Sequence, residues 1–313
     1  ILGTNSIKDT GFDVANSLRF NKASSDYLNK TLGTPTNNRK WSFSFWVKRA
    51  GSGNQMITST NSSVSYTYFG TDQFAFEQYS GGFQYRLKTN RLFRDFSAWY
   101  HIVIAVDTTQ GTDTNRVKIY VNGVQETSFE FATYPSQNFD TSFNSAVSHF
   151  IGREGSTYFD GYLSEVVLID GQQLTPTSFG EFHEDSGIWK PIDVSGLTFG
   201  TNGFYLDYED SSALGNDAAG SNNFTVNNLT AIDQSTDTCT NNFATWNSLA
   251  SSSQATLSEG NLKAVGQGTD DGNVFCNLVP KTGKWYAEFK ITKANDGIPT
   301  VGIRQESSGF RLL

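Results

Sequence analysis

Acidic side chains alternate at Asp207, Glu209 and Asp210 within Asp207-Tyr208-Glu209-Asp210. Two carboxylates held roughly 5 to 10 Å apart are the tools of glycosidic-bond cleavage. This group, however, sits where one short strand pattern runs into a long polar loop, and no second, separately held acid accompanies it. Glycoside hydrolysis is not expected from it. His101, His149 and His183 are far apart in the chain, and none has an Asp or Ser partner at motif spacing. His101 falls in a strand pattern beside Trp99, where packing and a single hydrogen bond are expected rather than acid–base work. Gly-x-Ser-x-Gly elbows, phosphate-cradling Gly-Lys-Ser/Thr loops and His-Glu-x-x-His helices do not occur. Cys239 and Cys276 are too few for a disulfide framework or a Cys-rich zinc site, and no bond between them is expected. No catalytic residue is assigned.

Two further chemistries have material in the sequence. Calcium takes carboxylate, Asn and carbonyl oxygens from irregular loops. Asp207, Asp210, Asn216, Asp217 and Asn222 supply such oxygens in one stretch, as do Asp107 and Asp113 elsewhere. The same residue types make turns without any ion, so no cofactor is assigned and calcium is left as the one ion these loops could take. Sugars present apolar C–H faces rimmed by hydroxyls, and exposed rings with polar neighbours can hold them. Tyr66, Tyr68, Phe74, Phe76, Tyr79, Phe83 and Tyr85, with Trp46, form the aromatic supply. Alternation puts Phe74 with Phe76, and Phe83 with Tyr85, on common faces, so most of these rings belong in a core. An exposed Tyr pair is the first place to look for a ligand.

The elements that would position these groups are strands. Trp99 to Val106 is apolar on both faces, which marks a central strand, and Arg116 to Val121 leads into Asn122-Gly123. Asn-Gly between alternating apolar residues predicts a hairpin, because a type I′ turn needs positive φ at both central positions. Trp41 to Lys48 predicts a half-buried strand with Trp41, Phe43, Phe45 and Val47 inward, Ser42, Ser44 and Lys48 outward, and Trp46 an exception on the polar side. Ser17 to Phe20, Met56 to Thr60, Ser65 to Gly70, Phe74 to Gln78, Phe83 to Lys88, His149 to Gly152, Tyr162 to Ile169 and Phe204 to Asp207 read as further strands. Only Leu174 to Phe179 opens a helical turn, with Thr175 as N-cap and Pro176 first. Short strands punctuated by turn residues imply an all-β, antiparallel β-sandwich of two layers.

Composition agrees. The chain has 313 residues, enough for one large domain or two ordinary ones. Aromatic residues reach 14% and charged residues 17%, the latter below the roughly 25% of an average globular protein. A net charge of −8 with scattered Lys and Arg argues against a phosphate-tracking surface, so nucleic acid is not an expected partner. No apolar run approaches the ~20 residues of a membrane span, and membrane insertion is not expected. The chain begins with Ile1, so a piece of a longer product is expected.

Ser17-Leu18-Arg19-Phe20, Trp41 to Val47, Trp99-Tyr100-His101 leading to Val106-Asp107, Val117 to Gly123, Phe159-Asp160-Gly161-Tyr162-Leu163-Ser164-Glu165-Val166 and then Leu174-Thr175 resemble, in that order, the concanavalin A-like jelly rolls of the laminin-G-like and pentraxin-like branch. The resemblance covers residues 12 to 195 and implies a jelly-roll β-sandwich. The glucanases of this superfamily carry Glu-x-Asp-x-x-Glu on one strand, and nothing here matches it. The tract from Gly187-Ile188-Trp189-Lys190-Pro191 through Asn222-Asn223-Phe224-Thr225 to Asn241-Asn242-Phe243-Ala244-Thr245 is similar to segments of tailed-bacteriophage virion proteins, where such a module is an appendage. Asn261 to Val265, Gly283 to Ile291 and Val301-Gly302-Ile303 are similar to the first half of a SPRY domain, a partial second β-sandwich.

The expected organisation is thus a jelly roll over 1–195, an Asn/Ser-rich connecting segment over 196–256 with one or two strands, and a SPRY-like part over 257–313. What these resemblances imply is a non-enzymatic virion structural protein, foremost a tail fibre or receptor-binding appendage, located on the virion. Its expected partners are host-surface glycan, other virion proteins and copies of itself in a homo-oligomer. The alternatives are a capsid decoration or head-fibre protein and the glycan-binding module of a polysaccharide depolymerase. Four sequons, at Asn29, Asn61, Asn223 and Asn228, would go unglycosylated in a bacterial host.

Overall fold

The computed structural model describes residues 11–60, 64–252, 254–266, 272–278, 287–292, 301–306 and 309–312. Two eight-stranded sheets dominate it. The first runs Val124–Gln125, Val117–Val121, Tyr100–Asp107, Lys40–Arg49, Gly161–Asp170, Ser17–Phe20 and Gln234–Ser235, with Phe204–Leu206 also paired to Gly161–Asp170. The second runs Phe129–Thr133, Phe83–Leu92, Gln73–Tyr79, Ser65–Gly70, Gln55–Thr60, Ser148–Ile151, Tyr27–Thr31 and Thr225–Asn227. Pairing in both sheets is antiparallel, and no α-helix occurs among the described residues. The all-β antiparallel sandwich read from the sequence is the architecture found.

Trp41, Phe43, Phe45 and Val47 from the first sheet meet Phe69, Phe74, Phe76, Tyr85 and Leu87 from the second, and these side chains form one core. The hairpin at Asn122-Gly123 is a left-handed pair, with φ of 48° and 79°. The helical turn at Pro176–Ser178 is a single 3-10 turn, and the Thr175 hydroxyl pairs with Thr177 at 2.8 Å instead of capping it.

Lys40–Arg49 departs from the half-buried expectation, because Ser42, Ser44, Trp46 and Lys48 on its second face are all buried. The chain from Leu174 to Phe199 folds back over the outer face of the first sheet. There Phe179, Val194 and Tyr205 pack on Val103, Val167 and Ile169, while Trp189 joins Trp46, Trp99 and Tyr162. The small serines are what let this cover lie close. Ser42 Oγ accepts from Leu174 N at 2.7 Å and donates to Gln172 O at 3.0 Å.

Residues 196–256, expected as a connecting segment, contribute Phe204–Leu206 and Gln234–Ser235 to the first sheet and Thr225–Asn227 to the second. Phe204, Leu206, Tyr208, Leu214, Phe224 and Leu229 enter the main core. Beyond them, Ala255–Ser258 pairs with Lys263–Gly266 and Ile303–Glu306 with Gly309–Leu312. Gly283 to Tyr286 of the SPRY-like motif, and the sequon at Asn61, lie outside the described residues.

One bulge matters for electrostatics. The pairing of Gly161–Asp170 with Lys40–Arg49 shifts register between Ser164 and Val167. Within that bulge Glu165 has φ of 49° and a buried side chain that accepts from Tyr205 Oη at 2.6 Å. Burial pushes its carboxyl up to about 8, against a hydrogen bond from Tyr205 that pulls it down and with Asp207, Glu209 and Asp193 adding to the rise.

Two outcomes follow from this packing. A Cβ on Gly123 would meet the Trp189 ring at 2.3 Å, and the position has positive φ, so Gly123→Ala should lower the stability by roughly 2 kcal/mol in a urea titration. An unchanged midpoint would contradict the contact. Glu165 keeps its proton in the folded chain and loses it in the unfolded one between its ordinary value of 4.5 and about 8, so its contribution falls as pH rises through that window. Glu165→Gln should therefore raise stability by at least about 1 kcal/mol at pH 8 and leave it unchanged near pH 4, as read by thermal melts at both pH values.

Candidate functional site

His101 lies between Trp46 and Trp189, with ring centroids at 4.8 and 5.9 Å. Trp189 Nε1 has only a hydrogen to give, and it donates to His101 Nδ1 at 2.9 Å. The imidazole proton therefore sits on Nε2 and is donated to Ser44 Oγ at 2.8 Å. That tautomer cannot take a proton from Ser44, so this serine–histidine contact is not a nucleophile and its base. Burial pushes His101 down to about 3 and His149 down to about 4. His149 accepts from Asn144 N at 3.1 Å and lies 2.9 Å from Val147 O. His183 is on the cover, hydrogen-bonded within its own turn to Ser186. The three histidines do not meet.

The candidate acids are likewise engaged locally. Asp207 accepts from Glu209 N, and Asp210 accepts from Ser212 N and Oγ. Asp217 takes three backbone N–H groups, from Tyr205, Ala219 and Asn222, while the Asn222 amide donates to Thr201 O and Gly203 O. Asn216 donates its N–H to Ala213 O, Asp107 accepts from Thr109 and Gln110, and Asp113 accepts from Thr114 N. These are turn-making contacts, with the carboxylates facing donors. Among the described residues no three His, Cys, Asp or Glu side chains are grouped to hold a metal ion. Cys239 and Cys276 are free thiols, and burial pushes both up.

The aromatic supply divides in two. Trp46, Phe74, Phe76 and Tyr85 are buried, whereas Tyr66 and Tyr68 are half-buried and Tyr79 and Phe83 are exposed. All four outward rings belong to the second sheet. Strand register explains the split: Tyr66 pairs with Glu77 and Tyr68 with Ala75, Glu77 with Arg86 and Ala75 with Lys88, Lys88 with Phe131. Since facing residues in a ladder share a side, Tyr66, Tyr68, Glu77, Arg86, Lys88 and Phe131 lie on one outer face, with Glu77 buried beneath its larger neighbours. The row extends through Ser59 to Phe150.

The polar groups on this surface are locked. Glu77 accepts from Arg86 Nε at 2.9 Å and from Tyr68 Oη at 3.2 Å. The Arg86 guanidinium also lies 3.7 Å from the Phe131 ring centroid and 4.5 Å from that of Phe83. Tyr66 and Tyr68 stand 5.7 Å apart, and Tyr79 meets Phe83 at 5.3 Å. Burial, then Glu77, raises both tyrosines, Tyr66 to about 12, so both hydroxyls keep their protons at any ordinary pH. Further along, Arg153 lies over Tyr27, Phe150 and Tyr158. Among the described residues the outer face of the first sheet is covered, while that of the second is covered by the hairpin of Arg153–Glu154 and Thr157–Tyr158 only at Gln55–Thr60, where Ser59 Oγ donates to Arg153 O at 2.8 Å.

Sequence reasoning named Tyr66, Tyr68, Tyr79 and Phe83 but missed Arg86, Phe131 and Arg153. The alternation Phe129-Glu130-Phe131 carried a signal for Phe131. Arg86 becomes part of the surface only through cross-strand register, and nothing local marks Arg153.

The family model described as the concanavalin A-like lectin/glucanases superfamily matches residues 22–178. No curated protein matches the chain. Among solved structures, a protein from Bacteroides ovatus described as carbohydrate-binding is similar at 18% identity and a TM-score of 0.50, with 69% of this chain and 59% of that chain covered. Domain 4 of an extracellular arabinanase from Geobacillus stearothermophilus, in complex with arabinotriose, is similar at 18% identity and a TM-score of 0.35, over 56% of this chain and 84% of that one. Domains LG4-5 of the mouse laminin alpha1 chain are similar at 13% identity and a TM-score of 0.37, over 64% and 50%. The chain thus spans about three-fifths of the length of the Bacteroides protein. With the family model covering half of the sequence and the sandwich it describes present in the structure, the chain belongs to the concanavalin A-like lectin/glucanases superfamily.

Proposed function

We propose that this chain is a non-enzymatic glycan-binding module whose ligand lies along the open face of the second sheet, on Tyr66, Tyr68, Phe83 and Phe131. The observation that carries the reading is the row of outward rings with tethered polar groups on the second sheet, over the strands Ser65–Gly70, Phe83–Leu92 and Phe129–Thr133. Rings offer apolar contact to sugar C–H faces, while the Tyr66 and Tyr68 hydroxyls and the Arg86 guanidinium, fixed by buried Glu77, supply hydrogen bonds. Membership of a superfamily of lectins and glucanases, and the likeness to the Bacteroides protein described as carbohydrate-binding, support the same class of ligand. Among the described residues His101 is locked and the candidate acids Asp207, Asp210 and Asp217 are held in turns, which supports the non-enzymatic reading.

In this reading the module is a surface appendage of a tailed-phage virion, a tail fibre or receptor-binding part that contacts host glycan and other virion subunits. The support is the tract of Gly187 to Pro191, Asn222 to Thr225 and Asn241 to Thr245 described above. A homo-oligomer would multiply a weak single site into firm attachment. Labelling on the intact particle at the tail tip supports the fibre, and labelling at a capsid vertex overturns it in favour of a decoration protein.

Tyr68→Ala and Phe131→Ala should each weaken binding to host polysaccharide by about 5- to 30-fold in calorimetry, the equivalent of one to two kcal/mol per ring. Unchanged affinity in both would move the site off this face. Binding should survive chelation by EDTA, whereas its loss would point to the loop oxygens of Asp107, Asp207 or Asp210. Release of oligosaccharide from the polymer would overturn the non-enzymatic reading.

A further inference from the structure

Lys48 carries its ammonium into the interior, with 1% of the side chain exposed. Nζ lies 2.7 Å from Asp237 Oδ2, 2.8 Å from Asn242 Oδ1 and 2.9 Å from Phe243 O. Asp237 is fixed in turn by Trp99 Nε1, which donates to Oδ1 at 2.9 Å. The Asn242 amide is held from both ends, since its Nδ2 donates to Ser97 O at 2.7 Å. These opposed bonds set which end of the amide is oxygen. Aromatic walls surround the group, with Tyr162 5.8 Å from Nζ and Trp46 and Trp189 in the same cluster. A primary amine, a carboxamide and a carboxyl group therefore share one enclosed, low-dielectric site.

We propose that Lys48 and Asn242 become joined by an intramolecular isopeptide bond, with Asp237 moving the protons. The reaction balances without any co-reactant. Asp237 accepts the ammonium proton of Lys48, giving a neutral amine, a change favoured by the burial that lowers the lysine's pKa. Nζ attacks Cγ of Asn242, the carbon bonded to the oxygen it already touches, while Asp237 lends its proton to Oδ1. Asp237 then carries a second Nζ proton to the departing nitrogen, and as the carbonyl re-forms it passes the Oδ1 proton to the same nitrogen. The Nζ–Cγ bond forms, the Cγ–Nδ2 bond breaks, and ammonium leaves with no change of oxidation state. Holding amine and amide in contact replaces a bimolecular encounter by an intramolecular one, worth many orders of magnitude in rate. Asn242 is only half-buried, so the leaving ammonia has a way out.

The bond would tie the central strand Lys40–Arg49 to the tract after Gln234–Ser235. It would close residues 48–242 into a ring that a pull on the chain's ends could not open. The test is mass spectrometry of the folded, purified full chain. Expected are an intact mass lower by one ammonia, failure of trypsin to cleave after Lys48, and a branched peptide joining the Lys48 and Asn242 segments. Lys48→Arg and Asn242→Ala should each restore the full mass. A wild-type chain of full mass with Lys48 cleavable overturns the proposal, and needs no variant to fold. Ammonia loss mapping to Asn122-Gly123, or water loss joining Lys48 to Asp237, overturns it equally.

Discussion

The buried contact of Lys48 with Asp237 is the constraint on which the arrangement of this sandwich turns. Taking both ions out of water costs several kcal/mol each, and their mutual attraction offsets that cost only when every remaining donor and acceptor is satisfied. Here they are: Asp237 takes Trp99, and Lys48 takes Asn242 and Phe243 as well. Because the partners come from sequence positions almost two hundred residues apart, the pair specifies one placement of the late tract on the first sheet. Ser17 Oγ reinforces it by donating to Asp237 O at 2.6 Å, and Thr240 Oγ1 takes Val14 N at 3.0 Å. A slip of the tract by one residue would strand a buried charge.

With the tract so placed, the two sheets acquire different surroundings. The first is apolar or tightly hydrogen-bonded on both faces, which is why Tyr100–Asp107 reads as a continuous apolar run. His101 is part of that sealed surface, its tautomer set by Trp189 from the cover. The second sheet keeps an inside and an outside, visible in the alternation of Ser65–Gly70 and Phe83–Leu92. The outer side then collects the half-buried tyrosines and the stacked guanidinium.

Much of this was legible in the sequence, and the failures share a cause. Local pattern was enough for the Asn122-Gly123 hairpin, the central strand at Trp99 to Val106 and the inward rings Phe43, Phe45, Phe74 and Phe76. The outer positions Ser42, Ser44 and Lys48 read as solvent-facing because small polar and charged residues normally are. Their covering partners, Gln172, His101 and Asp237, are set by tertiary contact alone. Tyr27–Thr31 was invisible for a related reason: Asn29, Lys30 and Thr31 give no apolar alternation, and the strand exists by pairing with Ser148–Ile151 and Thr225–Asn227. At the candidate site the ring types could be named in advance, but which rings face outward depended on the cross-strand register of six strands.

The same register decides what kind of ligand the outer face suits. Arg86 looks, by residue type, like a handle for an acidic group, yet it is already bonded to Glu77 and pressed between Phe83 and Phe131. Lys88 is likewise paired with Glu130 at 2.8 Å. Cations committed in this way add little net positive field, and the chain's charge of −8 works against anionic partners. What the surface offers instead is aromatic area with hydroxyls and a guanidinium that, already tethered, lose little freedom when a ligand arrives. Within the proposed glycan-binding reading, that favours a neutral, hydroxyl-rich polymer laid across the strands over a phosphate or carboxylate held at one point.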